Sequence, residues 1–224
     1  MFKDMGFVAL SSTLHLFHGS KSGIQGIPKP ISRKTCDFGT GLYLSDNEYQ
    51  PKNLIVNDQF GNRRFYNVTL NIDGLKILDL SGEKKLWCLF IAYNRNLLDL
   101  TVYPKLNAIF EHFNKGYDVI IGDIADDKMV LVLDQFFNNA ITDEALYHAM
   151  TFVSLGKQYV LKTQKACNAA IFDEGVVLPP STIRSLKDET SKREQSMLPR
   201  LNSVLKQYRR KGFYFDEIIE NYKE

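Results

Sequence analysis

A chain of 224 residues with 44% hydrophobic and 24% charged content is long enough for one substantial core, or for one domain and an appendage, and reads as an ordinary soluble globular protein. No apolar run approaches the ~20 residues of a membrane span. The formal charge of +2 is unevenly placed: Thr182 to Gly212 holds nine Lys or Arg against three acidic residues, net +6, while the body before it is close to neutral.

The N-terminus carries Lys3 and Asp4, and its apolar stretch from Gly6 to Leu10 runs into Ser11-Ser12-Thr13 without a secretory h-region, so no secretion is expected. Cys36, Cys88 and Cys167 are odd in number and far apart, which gives neither a disulfide framework nor a metal-ligand spacing and points to a reducing, cytoplasmic setting. The four histidines have no Cys or carboxylate cluster at zinc-like spacing, and no metal site is expected.

In chain order, Leu14 to His18 alternates as a strand that stops at Gly19-Ser20. A long Gly-, Pro-, Lys- and Ser-rich loop follows, and the turn Asp37-Phe38-Gly39-Thr40-Gly41 leads into Leu42-Tyr43, the start of a strand or of a short helix. Arg64 to Ile72 and Leu75 to Leu80 alternate on either side of Asp73-Gly74 and read as a β-hairpin. Ser81 then opens a helix with Leu86, Leu89, Phe90 and Tyr93 as its apolar stripe and Trp87 on the flank. Tyr117 to Ile121 is a β-branched run closed by Gly122, with Asp126-Asp127 in a turn beyond it. Thr142 caps a helix with Asp143 and Glu144 in its first turn and Leu146, Ala149, Met150 and Val153 as its stripe, ended by Gly156. Gln158 to Thr163 alternates as a strand, and a short helical turn starts at Gln164.

Strands and helices intersperse without a regular βαβ repeat, and no Gly-x-Gly-x-x-Gly follows a strand, so the fold class expected is α+β. After Pro179-Pro180 the composition shifts. Ser196 caps a helix carrying Leu198, Leu201, Leu205 and Tyr208 to Gly212, which divides the chain into a main domain over 1–178 and a basic helical extension over 179–224.

Three short segments stand in order: Phe17-His18-Gly19-Ser20, then Asp37-Phe38-Gly39-Thr40-Gly41-Leu42-Tyr43-Leu44, then Gln158-Tyr159-Val160. Together they resemble the ADP-ribosyltransferase superfamily of the diphtheria toxin and poly(ADP-ribose) polymerase type, whose motifs supply a His, a Tyr and a carboxylate. More closely, Phe17 to Ala170 resembles a bacterial family of uncharacterised function placed in that superfamily and often encoded in toxin-antitoxin pairs. The resemblance implies a split pair of small β-sheets flanked by helices, with NAD, as substrate, in the cleft between them.

It also implies roles. His18 donates a hydrogen bond to the adenosine ribose, and Gly19 and Ser20 present main chain to the nicotinamide amide, the missing side chain of Gly19 allowing close approach. Asp37, Phe38, Gly39 and Gly41 line the cofactor cleft, and the ring of Tyr43 faces the cationic nicotinamide, where cation-π attraction contributes ~0.5 to 2 kcal/mol. Breaking the glycosidic bond builds positive charge on the ribose, and the third motif stabilises it. That position is Gln158, a departure from the Glu of most active relatives: it keeps an acceptor and gains donors but lacks the charge.

The expected catalytic residues are therefore Gln158, Tyr43 and His18, in an NAD-dependent mono-ADP-ribosyltransferase that modifies a protein or nucleic acid as a toxin or defence factor. Two readings stand beside it: an NAD glycohydrolase, and a catalytically silent NAD-binding or interaction module. The basic C-terminal helix is either a solvated face or a contact for nucleic acid or an acidic antitoxin.

Overall fold

The computed structural model describes residues 12–56, 63–98, 101–125, 127–152 and 156–220. The strands are β1 (Thr13–Ser20), β2 (Leu42–Ser45), β3 (Arg64–Asn71), β4 (Ile77–Asp79), β5 (Val119–Asp123), β6 (Lys157–Leu161) and β7 (Ala170–Phe172). The helices are α1 (Tyr49–Val56), α2 (Lys84–Asn94), α3 (Pro104–Phe113), α4 (Asp127–Phe137), α5 (Asp143–Phe152), α6 (Gln164–Asn168), α7 (Pro180–Tyr208) and α8 (Phe215–Ile219). The fold is α+β, and no described helix is long and apolar enough to cross a membrane.

All seven strands join one mixed sheet in the order β4-β5-β6-β2-β1-β3-β7, with β4 and β5 parallel and every other pair antiparallel. Instead of two separate small sheets there is one sheet with a weak line in it. β1 and β3 pair along eight residues and β2 and β6 along four, but β1 and β2 share a single registered pair, Phe17 opposite Ser45.

The expected hairpin is absent. β3 lies between β1 and β7 and β4 is the far edge, five strand positions away, because each strand's partners are set by the whole sheet and Asp73-Gly74 turns the chain away from β3. Five spacings of about 4.8 Å would separate the two strands by about 24 Å in a flat sheet. Asn71 and Ile77 are joined by a segment that reaches only about 21 Å at full extension, so the sheet is curled and not flat.

Strand alternation divides the core accordingly. One face of the sheet carries a continuous cluster of Leu16, Leu42, Leu44, Tyr66, Val68, Leu70, Val119, Ile121, Tyr159 and Leu161, reached by Ala166 and Cys167 of α6. The other face carries two. Leu78, Ile120 and Val160 meet α2, α4 and α5 on the β4-β5-β6-β2 half, while Phe65, Ile55, Val56, Leu178 and Leu186 form a smaller cluster on the β1-β3 half. They lie on either side of the β1-β2 line.

Helix α2 begins at Lys84, not Ser81, whose amide is taken by Asp79 Oδ1 at 2.8 Å. Its buried face is Trp87, Cys88, Phe90 and Ile91, and Leu86, Leu89 and Tyr93 are only partly buried at its margins. Trp87 is thus a centre of the core and not its flank, its indole donating to the Asp123 carbonyl at 3.0 Å. Gly122 continues β5 because a Cβ there would stand 2.6 Å from Phe38 and 2.9 Å from Trp87.

Thr142 caps α5 as expected, accepting from Ala145 N at 3.4 Å, and Leu146, Ala149 and Met150 are buried. Asp127 opens α4 instead of lying in a turn, while Asp126, Val153 and the N-terminal stretch through Leu10 fall outside the described residues. Ser196 caps nothing. It lies inside α7, which starts at Pro180 and runs 29 residues through Pro199, and its hydroxyl donates to Arg193 O. The fixed φ and missing donor of Pro180 suit a first turn. Leu186 and Leu201 belong to different clusters, so α7, packed on α1 and α5, touches both.

Candidate functional site

The strand pairing is interrupted at the β1-β2 line. Continuing the antiparallel register past Phe17 and Ser45 would set His18 opposite Leu44 and Gly19 opposite Tyr43, but the ladder stops. In its place the imidazole Nδ1 of His18 bonds the Tyr43 carbonyl at 2.8 Å. Burial holds the His18 pKa below its ordinary 6.5, with the Tyr43 bond acting the other way. The neutral ring must therefore donate from Nδ1, which leaves Nε2 as an acceptor. A ribose hydroxyl would donate to it, the reverse of the expected direction. Phe172 meets the ring edge-on at 5.9 Å and Tyr66 lies 6.2 Å away.

Gly19 is buried, and a Cβ on it would stand 2.1 Å from the Pro51 carbonyl oxygen. On this side its missing side chain is claimed by α1, not by space for a ligand. Ser20 ends β1 opposite Arg64.

The second motif is a loop pinned from several sides. Phe38 is fully buried and stacked on Phe90 at 5.8 Å, so its side chain belongs to the core and not to a cleft. Its amide donates to the Tyr43 hydroxyl at 3.0 Å, and that hydroxyl donates to Gly39 O at 2.7 Å. Burial raises the Tyr43 pKa, and the group is a neutral phenol tying the loop to β2. Lys162, its pKa pushed down to about 8 by burial, donates to Phe38 O at 2.7 Å and also to Thr40 O. Gly39 has φ +69°, and a Cβ at Gly41 would stand 2.5 Å from Val160, so both glycines serve the loop's own geometry.

Asp37 and Gln158 meet at the centre of the sheet. Gln158 pairs with Ser45 on β2 and Gly122 on β5, and alternation puts it on the same face as Tyr43. It is buried, and its Nε2 donates to Asp37 Oδ2 at 3.0 Å and to the Asp123 carbonyl at 3.0 Å. The other Asp37 oxygen accepts from Arg95 Nε at 2.6 Å and is ion-paired with a terminal nitrogen of the same guanidinium at 2.5 Å, and Asn94 Nδ2 donates to the Asp37 carbonyl at 3.0 Å.

A family model described as "Protein of unknown function (DUF3990)" matches residues 14–172, which is most of the chain. The chain belongs to the DUF3990 family. The DUF3990 segment starts at the second residue of β1, takes in the rest of the sheet and ends at the last residue of β7, with α7 and α8 beyond it. No curated protein and no solved structure matches the chain.

Within the DUF3990 segment, β1, β2 and β6 are consecutive neighbours, so His18, Tyr43 and Gln158 sit on adjacent strands. Tyr43 and Gln158 share a face, while His18 alternates to the other face and reaches across the open line to β2. Arg95, Asn94 and Lys162 had no role in the expected site. The one local signal was the Asn94-Arg95 pair where α2 ends, polar groups at a position that ordinarily interacts with a helix C-terminus.

Proposed function

We propose that this protein is an NAD-dependent mono-ADP-ribosyltransferase whose site is the opening between β1 and β2. What supports the reading is that three motifs distant along the chain, centred on His18, Tyr43 and Gln158, fall on the neighbouring strands β1, β2 and β6, with His18 bonded across the interrupted β1-β2 ladder and Tyr43 and Gln158 on the opposite face.

His18, neutral and fixed by the Tyr43 carbonyl, accepts from a ribose hydroxyl through Nε2. The face of the sheet that holds Tyr43 and Gln158 receives the nicotinamide ribose. The glycosidic bond breaks with its electron pair going to the ring nitrogen, so that nicotinamide leaves neutral and the ribose carbon becomes cationic. The Gln158 carboxamide oxygen, as acceptor to the ribose hydroxyls, directs its partial negative charge toward that cation. An oxygen or nitrogen of the acceptor molecule then bonds the carbon and gives up its proton.

Purified protein incubated with NAD labelled in its adenylate portion and a cell lysate transfers the label to a macromolecule and releases nicotinamide. Release without transfer identifies an NAD glycohydrolase. A catalytically silent module is favoured by one observation, that the Tyr43 hydroxyl and the Gln158 amide nitrogen are already satisfied within the protein; neither release nor transfer in the same assay would select it.

A further inference from the structure

We propose that Arg95 and Asp37 are positioning residues that hold the Gln158 amide with its oxygen turned toward the ribose, and that this pairing is why a carboxamide stands in the third motif. The proposal rests on the reading of the β1-β2 opening as an NAD site. Gln158 Nε2 contacts two groups that only accept, the Asp37 carboxylate and the Asp123 main-chain carbonyl, each at 3.0 Å. A flipped amide would place an oxygen against both, so the orientation follows from chemistry. Both amide hydrogens are used inside the protein, and Oε1 is the end left to meet a ligand.

Arg95 fixes the carboxylate that fixes the amide. Its Nε donates to Asp37 Oδ1 and a terminal nitrogen forms an ion pair with the same oxygen, leaving Oδ2 for Gln158. The charged acceptor strengthens the amide hydrogen bond and polarises the carboxamide, drawing negative charge onto Oε1. A glutamate here would lie about 3 Å from the Asp37 carboxylate. Two carboxylates at that range do not both ionise, and a protonated one has a single hydrogen for two acceptors. Glutamate would therefore give up the charge that makes it useful elsewhere.

The test measures nicotinamide release by wild type, Asp37→Ala, Gln158→Ala, the double variant, Gln158→Glu, and Gln158→Glu combined with Asp37→Asn. Loss of one charge-assisted bond predicts that Asp37→Ala lowers kcat about ten- to a hundredfold, with KM changed much less. In the Gln158→Ala background the same change costs under about threefold. Gln158→Glu alone is impaired and gains activity as pH rises, and adding Asp37→Asn restores activity and removes that pH dependence. Independent, multiplicative effects of Asp37→Ala and Gln158→Ala, or no rescue of Gln158→Glu by Asp37→Asn, overturn the proposal. A second measurement needs no catalysis: the Gln158 side-chain amide protons, assigned by their loss in Gln158→Ala, exchange slowly in wild type and fast in Asp37→Ala and Arg95→Met. Fast exchange in wild type, or unchanged protection in both variants, also overturns it. If wild type neither binds NAD nor releases nicotinamide, the functional reading fails and amide exchange alone decides whether the Arg95-Asp37-Gln158 arrangement holds.

Discussion

Gly19→Ala separates two reasons for a glycine after His18. If the glycine exists to let a ligand approach, alanine harms binding and leaves the fold intact. The structure predicts the opposite, because the new Cβ would stand 2.1 Å from the Pro51 carbonyl oxygen and 2.8 Å from its carbon. An ordinary carbon-oxygen contact is about 3.3 Å, so α1 must retreat by roughly 1 Å, and backbone yields less readily than a flexible side chain. Overpacking of this kind costs about 1–3 kcal/mol, and the upper end fits a clash with main chain. For a domain of this size each kcal/mol lowers Tm by about 2–4 °C, which predicts a fall of about 6–12 °C. Gly82→Ala is the control: nothing lies within 4 Å of its Cβ, and it should melt within about 2 °C of wild type or slightly above. Thermal unfolding followed by circular dichroism reads both. A Gly19→Ala variant as stable as wild type refutes the packing argument, and if that variant also fails to bind NAD, ligand approach is the correct reason.

Tyr43→Phe removes the hydroxyl shared by Phe38 N and Gly39 O; an unpaired buried amide costs about 1–3 kcal/mol, and hydrogen exchange at residues 37–41 should accelerate. His18 has a folded pKa below its unfolded 6.5, so its contribution is fully present above pH 6.5 and is lost as pH falls through the folded value; urea unfolding at pH 7.5 and 5.5 should show a larger drop in wild type than in His18→Phe. Pro199 lies inside α7, and Pro199→Ala restores a main-chain donor, so helix content should hold and stability should rise by up to about 3 kcal/mol, read by the same unfolding curves.

Much of the fold was legible where the signal is local. Alternation found β1, β3 and β6, the turn before Leu42 left β2 open between a strand and a short helix start, and Thr142 caps its helix through its own hydroxyl, while Thr163, read as the end of β6, caps α6 instead. Partner choice was not legible. β3 and β4 alternate like a hairpin yet lie almost at opposite edges of the sheet, since alternation records which face is buried and not which strand is adjacent. In α2, Trp87 stood outside the expected stripe because the helix packs beneath a sheet and buries a broader arc than four residues. Ser196 looked like a cap because a serine before leucines is the local pattern, while Pro180 had already started the helix. At the site, the motifs were visible but the Arg95-Asp37 pair was not: 58 positions separate its members, and nothing in either neighbourhood encodes the other.

The interruption between β1 and β2 is the place where the sheet departs from what stability alone would select. Three further pairs were geometrically available, from His18 opposite Leu44 to Ser20 opposite Leu42, and each ladder bond is ordinarily worth about 0.5–1.5 kcal/mol. The sequence spends an imidazole on the Tyr43 carbonyl instead. On the helix-covered face the two apolar clusters stay separate across the same line, while the opposite face keeps one continuous cluster. The clusters thus join on one face of the sheet and part on the other, and α7 touches both of the separate ones through Leu201 and Leu186. Gln158, on the strand that flanks β2 on its other side, and Asp37, which it bonds, are buried and would be costly unless paired. They are paired with each other, and a local departure of this kind is where function is expected to reside.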